Sequence, residues 1–253
     1  MTNTALVQAL ETRLVNAWPA LETQLVDGWI LRFAKGYSKR ANSASPLIPG
    51  TSLDDAQIDQ IVSQFQAQNL RPTFRLTSLQ APDVDERLAR RGFVEIEPTY
   101  GMLAALAEVA SIEPQVELEQ TVAIDAAPTP RWIKDAAASY GGDKSDHVVL
   151  GQILGRIRQP TAYATLNLDG RPSAWGLAVA ERGFVGLFDI VVAPDLRGLG
   201  LGRQIVCALM AWARKQGAEK AYLQVRESNT GARDLYHTIG FTDVYRYTHR
   251  VAP

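Results

Sequence analysis

Cysteine is almost missing from this chain: Cys207 stands alone, so no disulfide can close within it and no cysteine-based zinc cluster can form. Histidine is scarce as well. The three present, His147, His237 and His249, include no pair at a ligand spacing such as H-E-x-x-H, which disfavours a metal hydrolase. The serine elbow G-x-S-x-G does not occur. No run approaches the roughly 18 apolar residues that a membrane span needs. Met1 to Leu10 lacks the basic segment and apolar core of a secretory signal. Neither sign of charge is in excess: 26 Lys and Arg oppose 27 Asp and Glu, which gives no overall footprint for a phosphate backbone. The expectation is a cytoplasmic protein with no metal, no membrane and no nucleic-acid partner.

What is present suits a folded chain. Apolar residues make up 46% and charged ones 21%, the balance of a globular protein able to bury a core. At 253 residues, two modest domains are expected. A connector rich in acid and proline, Ala107 to Pro130, separates two regularly patterned halves and contains one strand, Val116 to Ala123. The domains are therefore read as 1–106 and 107–253.

In the first half, helical spacing covers Thr4 to Ala17 and Leu53 to Gln68, with a short helix over Val84 to Arg91. Strands are expected over Trp29 to Ala34, Arg40 to Leu47, Pro72 to Leu76 and Tyr100 to Leu106. In the second half, Arg131 to Tyr140 and His147 to Arg158 read as helices broken by Gly141-Gly142-Asp143. Three strands follow, Ala162 to Leu168, Ser173 to Glu181 and Phe184 to Val192. Asp169-Gly170 and Arg182-Gly183 join them as a meander. A helix over Arg203 to Gln216, a strand over Ala221 to Val225, a helix over Thr230 to Ile239 and a strand over Val244 to Val251 complete the pattern. Leu88 to Phe93 echoes Leu235 to Phe241, each ending in Gly-Phe after a short helix, which suggests that the halves are tandem copies.

The segment with most chemical meaning is Arg197-Gly198-Leu199-Gly200-Leu201-Gly202, set between the strand ending at Val192 and the next helix. Glycines there let successive N–H groups converge at a helix N-terminus, whose partial positive charge suits a phosphate. A glycine-rich turn with no ligand is the plain alternative. A Rossmann loop is excluded by order, since antiparallel hairpins rather than a βαβ unit precede it.

Ile190 to Gly202, with V-x-P followed by R-x-x-G-x-G, resembles the signature of GNAT acetyltransferases. The likeness continues through Leu223 to Asn229, Ala232, Leu235-Tyr236 and Gly240-Phe241, and is particularly similar to bacterial enzymes that acetylate the N-terminus of ribosomal proteins. It spans about Val116 to Val251. The resemblance implies a GNAT fold, a mixed and mostly antiparallel α/β sheet flanked by helices, and an N-acetyltransferase moving an acetyl group from acetyl-CoA to a primary amine in a ternary complex. It also implies site residues. The backbone of Ile190, Val191 and Val192 would pair with the pantetheine arm. Arg197, Gly198, Leu199, Gly200, Leu201, Gly202 and Arg203 would hold the pyrophosphate, and Asn229 would hydrogen-bond the arm. Tyr236 would stand near the sulfur as general acid to a thiolate whose thiol has a pKa of about 8.5.

Bland readings stand beside these. Asn229 suits a helix N-cap, Tyr236 a core aromatic, and Cys207 a small core residue rather than a nucleophile. For the general base, the glutamate of the ribosomal-protein enzymes is replaced by Gln224, which cannot take a proton. Asp189, flanked by Phe188 and Ile190, is the favoured substitute, ahead of Glu227, which suits a surface or structural role.

The first half has no R-x-x-G-x-G. Trp29-Ile30-Leu31-Arg32 and Arg40 to Leu47 resemble the front of bacterial two-domain GNAT proteins, so Met1 to Leu106 is expected to be a degenerate, partial GNAT-like domain. Arg32, Arg40 and Asn42 could touch an acidic acceptor or serve ordinary strand roles. The acceptor amine, small or peptidic, is not readable, and a homodimer is a possible assembly. The rival class is a CoA-binding regulatory or structural protein without turnover.

Overall fold

The computed structural model describes residues 3–108, 120–138 and 144–253. The chain divides into two compact units. The first comprises Met1–Gly101, Val225–Thr230 and Asp243–Pro253, and the second Met102–Gln224 and Gly231–Thr242.

The first unit begins with helix α1, Asn3–Ala17, whose buried Val7, Leu10, Leu14 and Ala17 recur every three or four residues. Strands β1, Glu22–Val26, and β2, Trp29–Phe33, form a hairpin closed by Asp27 and Gly28, both at positive φ. Strand β3, Ala44–Pro46, follows. Helix α2, Asp55–Ala67, starts at a capping box: the Asp54 carboxylate accepts from Gln57 N–H at 2.8 Å, and the Gln57 amide oxygen accepts from Asp54 N–H at 2.8 Å. Strand β4, Thr73–Leu76, helix α3, Asp83–Arg90, and the first residues of strand β5, Val94–Ala105, come next. The late strand β11, Thr242–Val251, lies antiparallel to β4, giving the order β1-β2-β3-β4-β11. Ile58, Ile61 and Phe65 of α2 bury against Trp29, Phe33 and Phe74 of this sheet.

Burial in this unit includes charge. Arg75 on β4 is 1% exposed and binds Glu11 of α1 through both terminal guanidinium nitrogens, while Tyr245 of β11 donates its hydroxyl to the same carboxylate. The Arg75 guanidinium also lies 3.7 Å from the centre of the Tyr247 ring.

The second unit is a meander of β6, Gln120–Asp125, β7, Thr161–Leu168, β8, Arg171–Glu181, and β9, Phe184–Val192, all antiparallel neighbours. Helices α4, Pro130–Ala138, and α5, Lys144–Leu154, lie between β6 and β7 in sequence. Helix α6, Leu201–Lys215, packs on β7, β8 and β9 through the face carrying Ile205, Val206, Leu209, Met210 and Ala213. Strand β10, Lys220–Arg226, then pairs parallel with β9, and α7, Thr230–Ile239, leads to β11. No helix of the described residues is long and apolar enough to cross a membrane.

Several expected elements shift. Of Arg40 to Leu47 only Ala44–Pro46 is strand; Lys39–Ala41 is a 3-10 turn. β1 was not expected, because its burial pattern of four exposed residues then one buried carries no alternation. β5 starts six residues before Tyr100, through Pro98, a residue that ordinarily argues against a strand. α6 begins two residues before Arg203. Val116 to Glu119 and the Gly141-Gly142-Asp143 turn lie outside the described residues.

Removing one member of a buried ion pair leaves the other charge unpaired, which costs about 3 to 5 kcal/mol. Glu11→Ala is therefore expected to lower unfolding free energy by roughly that amount in urea titration. Glu11→Leu with Arg75→Met should recover most of the loss.

Candidate active site

Parallel pairing of β10 with β9 covers Lys220↔Phe184, Ala221↔Val185 and Tyr222↔Gly186. Beyond these, no pairing between the two strands is present among the described residues. A Cβ on Gly186 would lie 2.6 Å from both Cζ and Oη of Tyr222, so the Tyr222 ring lies against the β9 backbone where a side chain would stand. Phe188 meets the same ring edge-on at 6.2 Å.

On its other side β9 changes register against β8. Trp175 faces Val191 and Leu177 faces Phe188, so Gly176 opposes two residues, Asp189 and Ile190. Asp189 takes φ +50, a left-handed conformation that Asp tolerates better than most residues. Gly176 is obligatory here, because a Cβ would lie 2.7 Å from Ile205, 2.8 Å from Ile190 and 2.9 Å from Leu209. The bulge thus fits closely under α6. It leaves Asp189 only 5% exposed. Tyr163 on β7 has its hydroxyl pushed up to about 12, first by burial and further by the Asp189 charge.

Past Val192 the chain forms a 3-10 turn, Pro194–Leu196, and then the glycine segment. Gly198 and Gly200 hold φ of +81 and +78, and Gly200 is the N-cap of α6 with no side chain capping it. The helix's first turn closes with Gln204 N–H donating to Gly200 C=O at 3.3 Å, so the N–H groups of Leu201, Gly202 and Arg203 open the helix as donors not used within it. Leu199 and Arg197 are exposed. Gly202 has ordinary φ, and a Cβ there would sit 3.4 Å from Leu235 and 3.6 Å from Val192. Arg203 donates to Thr238 Oγ1 at 2.9 Å. The start of α6, the end of β9 and α7 are therefore packed together.

Tyr236 on α7 is 7% exposed and meets Phe241 at 5.9 Å. Burial pushes its hydroxyl up to about 12, so the phenol is neutral throughout the ordinary range. Asn229 immediately precedes α7, in the first unit, is exposed, and gives its N–H to Arg226 C=O at 2.9 Å. Gln224 is half-buried on β10. Glu227 has structural partners: it accepts from the Tyr100 hydroxyl at 2.9 Å and pairs with Arg246 at 3.5 Å. Cys207 is half-buried, with its thiol pushed up by burial.

Arg32 and Asn42 are structural as well. Arg32 is buried, gives its guanidinium to the C=O groups of Arg40 and Trp18, and is lowered to about 9 by burial and then by Arg40. Asn42 accepts from the N–H of Ala34 at 2.7 Å and Gly36 at 2.9 Å, and donates to Ser38 C=O at 2.7 Å, pinning the turn after β2. Sequence reasoning overlooked Gly176, Gly186 and Tyr222. An isolated glycine inside a strand pattern is the signal that marks such close approach.

Residues 4–250 match the family described as probable histone acetyltransferase Rv0428c, C-terminal. The chain is 27% identical over 248 residues to YobR, an uncharacterized N-acetyltransferase of Bacillus subtilis, covering 97% of this chain and 98% of that protein. It is 27% identical over 255 residues to the probable histone acetyltransferase Rv0428c of Mycobacterium tuberculosis, covering 94% and 71%. Among solved structures, a GCN5-related N-acetyltransferase from Kribbella flavida superposes with a TM-score of 0.69 at 18% identity, covering 97% of this chain and 95% of that one, a likeness of fold.

Because Tyr222 is 3% exposed, its ring has nowhere to swing. Gly186→Ala is expected to destabilise the protein by about 1 to 3 kcal/mol, the usual range for overpacking, in chemical denaturation.

Proposed function

Given that the chain belongs to the family of the Rv0428c C-terminal region, within the GNAT superfamily, and is an acyltransferase of the N-acetyltransferase type, we propose that it transfers the acetyl group of acetyl-CoA directly to a primary amine within the second half of the chain, 107–253. The observation that carries this reading is the opening of β9 from β10 after Gly186, leading directly into the uncapped start of α6. The two parts suit the two ends of one elongated, anionic co-substrate.

Ile190, Val191 and Val192 keep backbone groups on the side away from β8 that no β10 ladder uses, and these would bind a pantetheine arm as an added strand does. The amides of Gly198 to Arg203, at the positive end of α6, would take the pyrophosphate, with Arg197 and Arg203 adding charge.

When bound, acetyl-CoA supplies an activated acyl carbon and a thiol leaving group. Tyr236, held neutral by burial, retains its proton for the sulfur. The same dryness would raise the thiol too, so both acidities move in one direction. Asp189 is the general base we assign. Its carboxylate is almost dry, and Gln224 has no basic atom for the task.

Two measurements follow. Gly202→Glu, at ordinary φ, adds a negative charge to the first turn of α6, where phosphate would bind; calorimetric titration with acetyl-CoA should show micromolar-range binding by the wild type and at least about tenfold weaker binding by the variant, the scale of one lost charged contact. No binding by the folded wild-type protein would sink the reading. Tyr236→Phe should leave acetyl-CoA affinity unchanged while lowering turnover by about 100-fold or more, the usual contribution of general-acid catalysis. The pH profile gives a further check. The Tyr236 hydroxyl lies near 12, above its ordinary value, so the protonated, competent form persists through alkaline pH, and no loss of rate between pH 8 and about 10 should be traceable to it.

A further inference from the structure

One titratable side chain of the first unit is buried without polar partners and takes no part in the proposed acyl transfer. His249 on β11 is 3% exposed, and neither ring nitrogen has a hydrogen-bond partner among the described residues. An imidazole always carries at least one N–H, so a donor goes unsatisfied even in the neutral ring. Protonation adds a second donor and a buried charge.

The sheet decides what that charge would meet. His249 lies directly opposite Arg75 in the antiparallel pairing of β11 with β4, which puts the two side chains on one face. Both touch Tyr247: the Arg75 guanidinium lies 3.7 Å from the centre of that ring, and the imidazole stands edge-on to it at 5.6 Å. Arg75 is itself held by Glu11 of α1, whose carboxylate accepts from two of its nitrogens and from the Tyr245 hydroxyl. Three donors therefore already share the Glu11 carboxylate. On the other side of β11, Thr248 donates to Ile96 C=O of β5 at 3.1 Å, and the next residue of β5, Glu97, is engaged by Lys39 and Arg226, each at 3.1 Å. A protonated His249 would thus stand across the strand pair from a permanent cation, with the neighbouring carboxylates already taken.

Burial first, then Arg75, Lys39, Arg226 and Arg40 in that order, hold the imidazole well below its ordinary range. In the unfolded chain the ring returns to an ordinary value of about 6.5. A group whose value is lowered by folding in this way stabilises the fold above about pH 6.5, and that contribution is lost as the pH falls below it.

We propose that His249 is an acid-sensitive latch of the first unit: the neutral imidazole lets β11 seat on β4, and its protonation releases that pairing. The device is independent of the acyl-transfer chemistry assigned above.

Hydrogen exchange of the full chain, corrected for the intrinsic rate at each pH, tests this. Between about pH 6.5 and about pH 5, protection of the β4 and β11 amides is expected to fall by up to about tenfold per pH unit, the slope of one proton. His249→Gln, which keeps a polar side chain that does not titrate, should abolish that slope. Histidine-labelled NMR of the wild type gives a second readout that needs no variant at this position, because His147→Gln and His237→Gln assign the other two rings. The His249 ring should remain neutral well below about pH 6.5 for as long as the β11 amides stay protected. A His249 ring that titrates near about pH 6.5 while β11 stays protected, or an acid loss of protection that persists unchanged in His249→Gln, would overturn the proposal.

Discussion

The bulge of β9 opposite Gly176 is the constraint on which the proposed site of the second unit depends. The Tyr222 ring occupies the space a side chain on Gly186 would need, and three residues later β9 bulges at Asp189. The bulge is tolerated because Gly176 lets Ile205, Leu209 and Ile190 close over it. Close packing of α6 on β8, the register shift and the separation of β9 from β10 thus form one interlocked arrangement. Its outcome is a strand end with unspent backbone groups and, about ten residues further on, a helix start with unspent N–H donors.

The first unit reaches stability differently. Its aromatic core around Trp29, Phe33, Phe65 and Phe74 is conventional, but polar and charged groups are buried alongside it. Arg32 and Asn42 hold the turn after β2, and Glu11, Arg75, Tyr245 and Tyr247 tie α1 to β4 and β11. Gly101 admits the Tyr245 ring, which a Cβ would displace. Buried polar networks of this kind bring specificity at the cost of sensitivity to single substitutions.

Much of this was legible in the sequence for identifiable reasons. The meander announced itself through Asp169-Gly170 and Arg182-Gly183, and α6 through its apolar stripe and flanking glycines. The GNAT-type fold followed from the Arg197 to Gly202 segment together with Leu235-Tyr236 and Gly240-Phe241. Other features leave no local trace. β1 is an exposed edge without alternation, and β5 contains Pro98 and a left-handed Glu97, both of which argue against a strand. The bulge at Asp189 depends on a glycine in the neighbouring strand, and Glu97 gathers Lys39 and Arg226 from distant parts of the chain. Composition and periodicity report on neighbours in the chain, and these arrangements are made by residues distant in it. Arg32, which the sequence left between an acceptor contact and an ordinary strand role, is committed by burial to backbone carbonyls.

The central claim is that one co-substrate occupies both the end of β9 and the start of α6. Hydrogen exchange of backbone amides, with and without saturating acetyl-CoA, tests it most directly. Slowed exchange at Ile190 to Val192 and at Leu201 to Arg203 together, with β1 and β2 unchanged, is the expected result. Protection absent from both segments, or confined to the first unit, would contradict it.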